Sequence, residues 1–208
     1  EEEYQAWLST QSTFAEQQRA YKEVDIAKGE VLYSTCIGCH GATGEGNKAL
    51  NAPKIAGQEA HYLSRQLQYF KSGVRGSHKD DVYGRMMAPM AALLVDQVAI
   101  DNVAAYIASL PNTPTVATIS GDVARGGSIY ENCSHCHGDN GEGIEAMNGP
   151  VAAGMSDWYM STQLQNFKSG VRGSHSEDFY GDQMMLLAAI LQDETAINDV
   201  VAYINTLH

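Results

Sequence analysis

Nowhere does the 208-residue sequence offer an apolar run approaching the roughly 20 residues that a membrane-spanning helix needs. The opening EEEYQAW lacks both the basic and the apolar region of a secretory signal, so for an exported protein it reads as the mature form; peripheral association with a membrane stays compatible. Positive charge is scarce. There are 13 Lys+Arg against 25 Asp+Glu, a net charge of −12. That excludes the basic stripe of a nucleic-acid binder and disfavours an anionic lipid surface. It favours a partner with a basic face. Cysteine is scarce too: Cys36, Cys39, Cys133 and Cys136 all lie in two short segments, leaving none for a disulfide framework. Sustained period-two alternation is missing, which argues against an all-β fold.

What is present is a repeat. CIGCHGATGEG at 36–46 returns as CSHCHGDNGEG at 133–143, an offset of 97 that holds elsewhere without a gap. FKSGVRGSH at 70–78 recurs at 167–175, and AYI at 105–107 recurs at 202–204. Asp25, Gly29, Tyr33, Asn51 and Pro53 fall on Asp122, Gly126, Tyr130, Asn148 and Pro150. The chain therefore divides into an extension at 1–24, a domain at 25–110, a proline-bearing linker at 111–121 and a second domain at 122–208.

Each copy reads as a small all-α domain. A helix starting after the N-cap candidates Asp25 and Asp122 carries the cysteines. Others are expected at 58–72, stopped by Gly73, and at 96–109, with Ile100, Val103 and Ile107 on one stripe. The extension, with Trp7, Leu8, Phe14 and Tyr21, is expected to add a helix packed on a domain. A unit this small has little core of its own and needs something inside it.

On a helix, positions i, i+3 and i+4 share a face. Cys36, Cys39 and His40 therefore converge on one object, as do Cys133, Cys136 and His137. Cys-x-x-Cys-His is the attachment pattern of c-type haem. Two thioethers hold the group, the imidazole reaches the iron, and the haem supplies the missing core. A redox dithiol or a zinc half-site would explain neither the histidine nor its repetition. Two covalent haem c groups are thus expected.

For the sixth iron ligand the repeat selects among candidates. Of Met86, Met87, Met90, Met147, Met155, Met184 and Met185, only Met87 and Met184 coincide under the offset. His78 and His175 also coincide, in a Gly-Ser-His loop, while His61 falls on Trp158. Core packing is the alternative for the methionines, and His/Met is a common cytochrome pair. The doubled Lys71, Arg75, Lys168 and Arg172 suit haem propionates or solvated helix ends equally. Tyr62 and Tyr159 read as amphipathic core residues. GATGEG and GDNGEG read as tight turns, not phosphate loops, because no Lys-Ser/Thr pair follows.

KIAGQ at 54–58, QLQYFKSGVRG at 66–76, MAPMAALLVD at 87–96 and VAAYI at 103–107, beside the two CxxCH sites, resemble the dihaem cytochrome c4 family over about 25–208. The resemblance implies two tandem class I cytochrome c domains. It implies ligation by the methionine nine residues before the aspartate of the last helix, which fits Met87 with Asp96 and Met184 with Asp193. It also implies that the Pro53 and Pro150 carbonyls hold Nδ1–H of the histidines. Electron transfer in the periplasm, from a quinol-oxidising complex or dehydrogenase to a terminal oxidase or reductase, is the implied role, without enzyme activity. The alternatives are a dedicated cytochrome subunit of a dehydrogenase complex and a dihaem peroxidase. NGPVAAGMSDWY in the second copy departs from NAPKIAGQEAHY in the first.

Charge is unevenly shared. Residues 25–110 carry 8 basic and 8 acidic residues, whereas 122–208 carry 3 and 12. Glu142, Glu145, Glu177, Asp178 and Asp182 are expected to steer the second domain toward a basic redox partner.

Overall fold

The computed structural model describes residues 24–207. In the first domain α1 (Ile26–Tyr33) and the short α2 (Ile37–His40) precede α3 (Ala60–Ser72), α4 (Val82–Ala92) and α5 (Gln97–Ser109). In the second, α6 (Val123–His137) is followed by α7 (Asp157–Lys168), α8 (Phe179–Ala188) and α9 (Glu194–Ile204). One 3-10 turn sits in each, Lys48–Leu50 and Glu145–Met147. Among the described residues the only β features are the isolated bridges Asn47–Ala52 and Ile144–Gly149. The expected all-α architecture is what forms. The N-terminal helix expected around Trp7 to Tyr21 falls outside the described residues.

Helix starts follow the repeat. Asp25, Asp81 and Asp96, with their counterparts Asp122, Asp178 and Asp193, each accept the backbone N–H three residues on, at 2.8 to 3.1 Å. Each such cap contributes about 1 kcal/mol. Part of the acidic excess is thus structural. It corrects the expected acidic docking surface: Asp178 is 5% exposed and spent on capping α8, so it does not face a partner.

Two departures from the sequence reading concern helices. The cysteine-bearing helix is continuous in the second domain but breaks at 34–36 in the first. There the Ser34 and Thr35 hydroxyls donate back to the Val31 and Leu32 carbonyls, and the backbone tightens to i−3 bonding. The helices α4 and α8, which carry Met87 and Met184, were not anticipated. MMAPMAALL is apolar nearly throughout and includes Pro89, so it shows no 3.6-residue stripe.

In each domain the first and last helices cross at a glycine. A Cβ on Gly29 would stand 2.1 Å from the Asn102 carbonyl oxygen, and one on Gly126 2.0 Å from that of Asp199. One turn on, Tyr33 and Tyr130 are fully or nearly fully buried in cores built with Ile100, Val103 and Ile107, and with Ile197, Val200 and Ile204. Their hydroxyls donate to the carbonyls of Gly41 and Gly138, just past His40 and His137. The glycine crossing and the tyrosine together fix the Cys-x-x-Cys-His turn against the domain.

Candidate haem sites and the wall between them

Each domain encloses a largely apolar cavity beside its Cys-x-x-Cys-His turn. In the first it is lined by Cys36, His40, Leu67, Phe70 and Met87 among others. In the second it is lined by Cys133, His137, Leu164, Phe167 and Met184, with Cys136 on an adjoining recess. Cys39 is exposed. The structure thus brings Met87 to the cavity of His40 and Met184 to that of His137. Met90 and Met155 also line the first cavity, and Met155 the second. His78 and His175 line neither. They sit with their loops in a separate solvent-open cleft between the domains.

His40 Nδ1 pairs with the Pro53 carbonyl at 2.8 Å, and His137 Nδ1 with that of Pro150 at 2.8 Å. Each carbonyl selects the Nδ1–H tautomer and leaves Nε2 as the free nitrogen, the arrangement a metal-ligating imidazole requires. Burial pushes both imidazoles below their ordinary value, against the smaller upward pull of those carbonyls, so both favour the neutral ligand form. Burial raises the Cys36 thiol and pushes that of Cys133 up to about 11. Asn51 and Asn148 both stand at φ 54, turning the chain ahead of these prolines. Among the described residues no group of three or more His, Cys, Asp or Glu side chains is arranged to hold a bare metal ion.

The doubled basic residues take up roles that the sequence left open. Lys71 and Lys168 donate to the carbonyls of Leu94 and Leu191, tying α3 and α7 to the loops ahead of the last helices. Arg75 and Arg172 are 7% and 8% exposed and reach across the domain boundary. Arg75 donates to Gln66 of its own domain and to Tyr159 and Gln163 of the other. Arg172 donates to Gln163 of its own domain and to Tyr62 and Gln66 of the other. The two sets exchange under the offset of 97, which is the reciprocity of a two-fold interface. Sequence reading missed this wall; its signal was the doubled Tyr-x-x-x-Gln on one helix face at 62 and 66, and at 159 and 163. Gln58, Tyr62, Met155 and Gln163 line both cavities, so the two sites adjoin through it.

These cavities suit a haem. Their walls are apolar, a cysteine and an imidazole stand together in each, and Nε of Arg75 and of Arg172 is buried without a partner among the described residues, as a guanidinium awaiting a carboxylate would be.

Comparison with known proteins agrees. The cytochrome c family model matches twice, at residues 26–111 and 123–208. Cytochrome c4 of Azotobacter vinelandii is 30% identical over 201 residues, covering 91% of this chain and 92% of that protein. The chain belongs to the dihaem cytochrome c4 family. A thiosulfate dehydrogenase electron acceptor of Stutzerimonas stutzeri is 31% identical over 185 residues, covering 84% of this chain and 80% of that one. The solved structure of reduced cytochrome c4 from Pseudomonas stutzeri superposes with a TM-score of 0.70 at 26% identity, over 89% of this chain and 100% of that one. As a member of this family the chain binds two haem c groups covalently and is an electron carrier rather than an enzyme.

Proposed function

We propose that the protein carries electrons in the periplasm between a respiratory donor complex or dehydrogenase and a terminal oxidase or reductase. Cys36 and Cys39 attach the first haem and Cys133 and Cys136 the second. His40 and Met87 ligate one iron, His137 and Met184 the other. The observation that carries this reading is that Met87 lines the cavity of His40, and Met184 that of His137, on helices related by the repeat. The haem supplies an iron that changes oxidation state, and methionine ligation raises its potential relative to two histidines. The Pro53 and Pro150 carbonyls orient the imidazoles, the apolar walls exclude water, and Arg75 and Arg172 offer Nε–H to propionates. The wall of Gln58, Tyr62, Met155 and Gln163 joins the sites, so that an electron received by one domain is available to leave from the other.

Ligation is tested on the oxidised holoprotein. Its weak near-infrared methionine-to-iron band should fall by about half in Met87→Ala and by about half in Met184→Ala, as one ligand per iron requires. A band unchanged in both variants would sink the assignment. The likeness to a thiosulfate dehydrogenase electron acceptor favours a second reading, service to one dedicated dehydrogenase. Co-purification of such an enzyme from native membranes or periplasm separates the two. A peroxidase would need an iron that opens on its methionine side. Carbon monoxide binding to the reduced protein at neutral pH would reveal it.

A further inference from the structure

The Val-Arg-Gly-Ser-His loops at 74–78 and 171–175 together line the solvent-open cleft between the domains, with Lys79 beside them. Each position of one loop meets its repeat copy in the other, so the cleft shares the two-fold character of the Arg–Tyr wall. The chain carries 25 Asp+Glu against 13 Lys+Arg, yet among the described residues no carboxylate lines this cleft, whereas Arg75, Arg172, Lys79, His78 and His175 do. Gly76 and Gly173 set its shape. They stand at φ 79 and 91, and a Cβ on them would lie 2.4 and 2.3 Å from the carbonyl oxygens of Gly84 and Gly181. No side chain fits there, so the loops press onto the first turns of α4 and α8.

The histidines identify what the cleft takes. Nδ1 of His78 accepts the Asp80 N–H at 3.2 Å, and Nδ1 of His175 accepts the Glu177 N–H at 3.2 Å. An imidazole that accepts at Nδ1 carries its proton on Nε2, so each ring offers a donor rather than a lone pair. A metal ion needs the lone pair; an anion needs the donor. Lys79 is exposed and forms no ion pair among the described residues. The nearest acids along the loops stand outside the lining: Asp80, with Oδ2 3.9 Å from His78 Nδ1, and Glu177. Asp81 and Asp178 are spent on helix caps.

We infer that this cleft binds a divalent oxyanion of the sulfate or hydrogen-phosphate kind, held by both loops at once. The positive charges of Arg75, Arg172 and Lys79 favour a dianion over a halide, and donors on two facing loops favour a group with several acceptor oxygens. Arg75 and Arg172 keep their hydrogen bonds to the glutamines and tyrosines of the wall and contribute charge from buried positions, where solvent screens it least. The hydrogen bonds to the anion come from His78, His175 and Lys79. An anion so held adds a tie between the domains beside the Arg–Tyr wall. The site is independent of the electron-carrier reading and uses no iron ligand.

The test is calorimetric titration of the holoprotein with sodium sulfate and with sodium phosphate, at an ionic strength held constant with sodium chloride so that general screening is the same throughout. Wild type should bind one anion per chain and saturate, with NMR shifts of the Gly76, Ser77, Gly173 and Ser174 amides, that is, in both loops. Lys79→Gln, and His78→Ala together with His175→Ala, should each weaken binding by about tenfold for the charged hydrogen bonds removed. These side chains are exposed or partly exposed, so the variants keep the fold. Lys28→Gln removes the same charge from exposed α1, where Lys28 pairs with Asp25 at 3.2 Å, and should change affinity by less than about twofold. Saturating sulfate should also raise the melting temperature of wild type more than that of the cleft variants. Absence of saturable binding with both anions would overturn the inference, as would amide shifts confined to one loop. Cleft variants that bind as tightly as Lys28→Gln would reduce it to an adventitious ion only. Zinc saturating the two histidines at concentrations where sulfate does not bind would overturn the donor assignment.

Discussion

Arg172 of the second domain donates to the hydroxyl of Tyr62 in the first at 3.1 Å, and Arg75 of the first domain makes the same bond to Tyr159 of the second. Burial alone would raise the Tyr62 hydroxyl, but Arg172 and Arg75 outweigh it and hold it below the ordinary tyrosine value. The bond is therefore strongly electrostatic. A hydrogen bond to a charged group contributes about 1.5–3 kcal/mol, less where the donor keeps other acceptors. Arg172 keeps Gln66 and Gln163. Tyr62→Phe and Tyr159→Phe should each cost about 1 kcal/mol in docking of the domains. The double variant should split a single thermal transition into two, as the wall opens. A double variant that still melts as one unit at the wild-type temperature would show that the crossed pairs do not hold the domains together.

The crossing of α1 with α5 leaves no room for a methyl group, and neither does that of α6 with α9. Both obstructing atoms are backbone carbonyl oxygens, at 2.1 and 2.0 Å, which cannot swing aside as a side chain would. Gly29→Ala and Gly126→Ala should therefore each destabilise their own domain by about 3 kcal/mol, the upper part of the range for overpacking. Gly38→Ala, where an added Cβ meets nothing within 4 Å, serves as the control within the same segment. Denaturant unfolding of the holoprotein reads the difference. A cost for Gly29→Ala no larger than for Gly38→Ala would contradict the close crossing.

Tyr33 and Tyr130 give a pH dependence of definite sign. Burial pushes both hydroxyls well above the ordinary tyrosine range, and each donates its proton to a glycine carbonyl, at 2.6 and 2.7 Å. The folded state keeps a proton that the unfolded chain releases near pH 10. The stability they contribute is therefore complete below about pH 10 and falls above it, by about 1.4 kcal/mol per pH unit for each tyrosine. Tyr33→Phe should lose about 1 kcal/mol at pH 7, for the missing hydrogen bond, and should show a shallower decline at alkaline pH. An alkaline limb as steep as that of wild type would mean that other groups govern it.

Legibility in the sequence followed locality. The Cys-x-x-Cys-His turns are local, because one helical turn decides which side chains converge, and they were readable at once. The capping aspartates at 25 and 122 and the core stripe of Ile100, Val103 and Ile107 were readable for the same reason. Met87 and Met184 were picked out by the duplication, which provided a second copy to compare, and by the spacing to Asp96 and Asp193 that the family resemblance implies; the helices carrying them hid in a run too uniformly apolar to show a period. The interface was only faintly legible. Tyr62, Gln66 and Arg75 pair with residues about one domain away; the doubled Tyr-x-x-x-Gln spacing marks a repeated face but not what that face meets. Lys54 looked like one more charged residue until the structure put its ammonium between the linker and the other domain. Asp178 looked like surface charge until it proved to be a cap.

That last correction reshapes the docking experiment. Neutralising Asp178 would unravel the start of α8 and confuse steering with unfolding. Asp81 presents the same hazard in the first domain. The acidic residues free to act on a partner are the exposed ones, among them Asp139, Glu177 and Asp182 in the second domain. Asp80 and Glu30 are exposed carboxylates of the first domain. Long-range attraction by such charges raises association rates by one to three orders of magnitude at low salt and fades as the screening length shrinks. Electron transfer with a basic redox partner should therefore slow steeply as ionic strength rises. Converting Asp139, Glu177 and Asp182 to their amides should slow it several-fold at low salt and flatten its salt dependence. The same conversion at Asp80 and Glu30 should do much less per charge removed, since the first domain is already neutral overall. Stopped-flow reduction by a basic cytochrome across a salt series gives both slopes. Equal effects from the two sets, or a rate indifferent to salt, would show that the charge asymmetry does not direct docking.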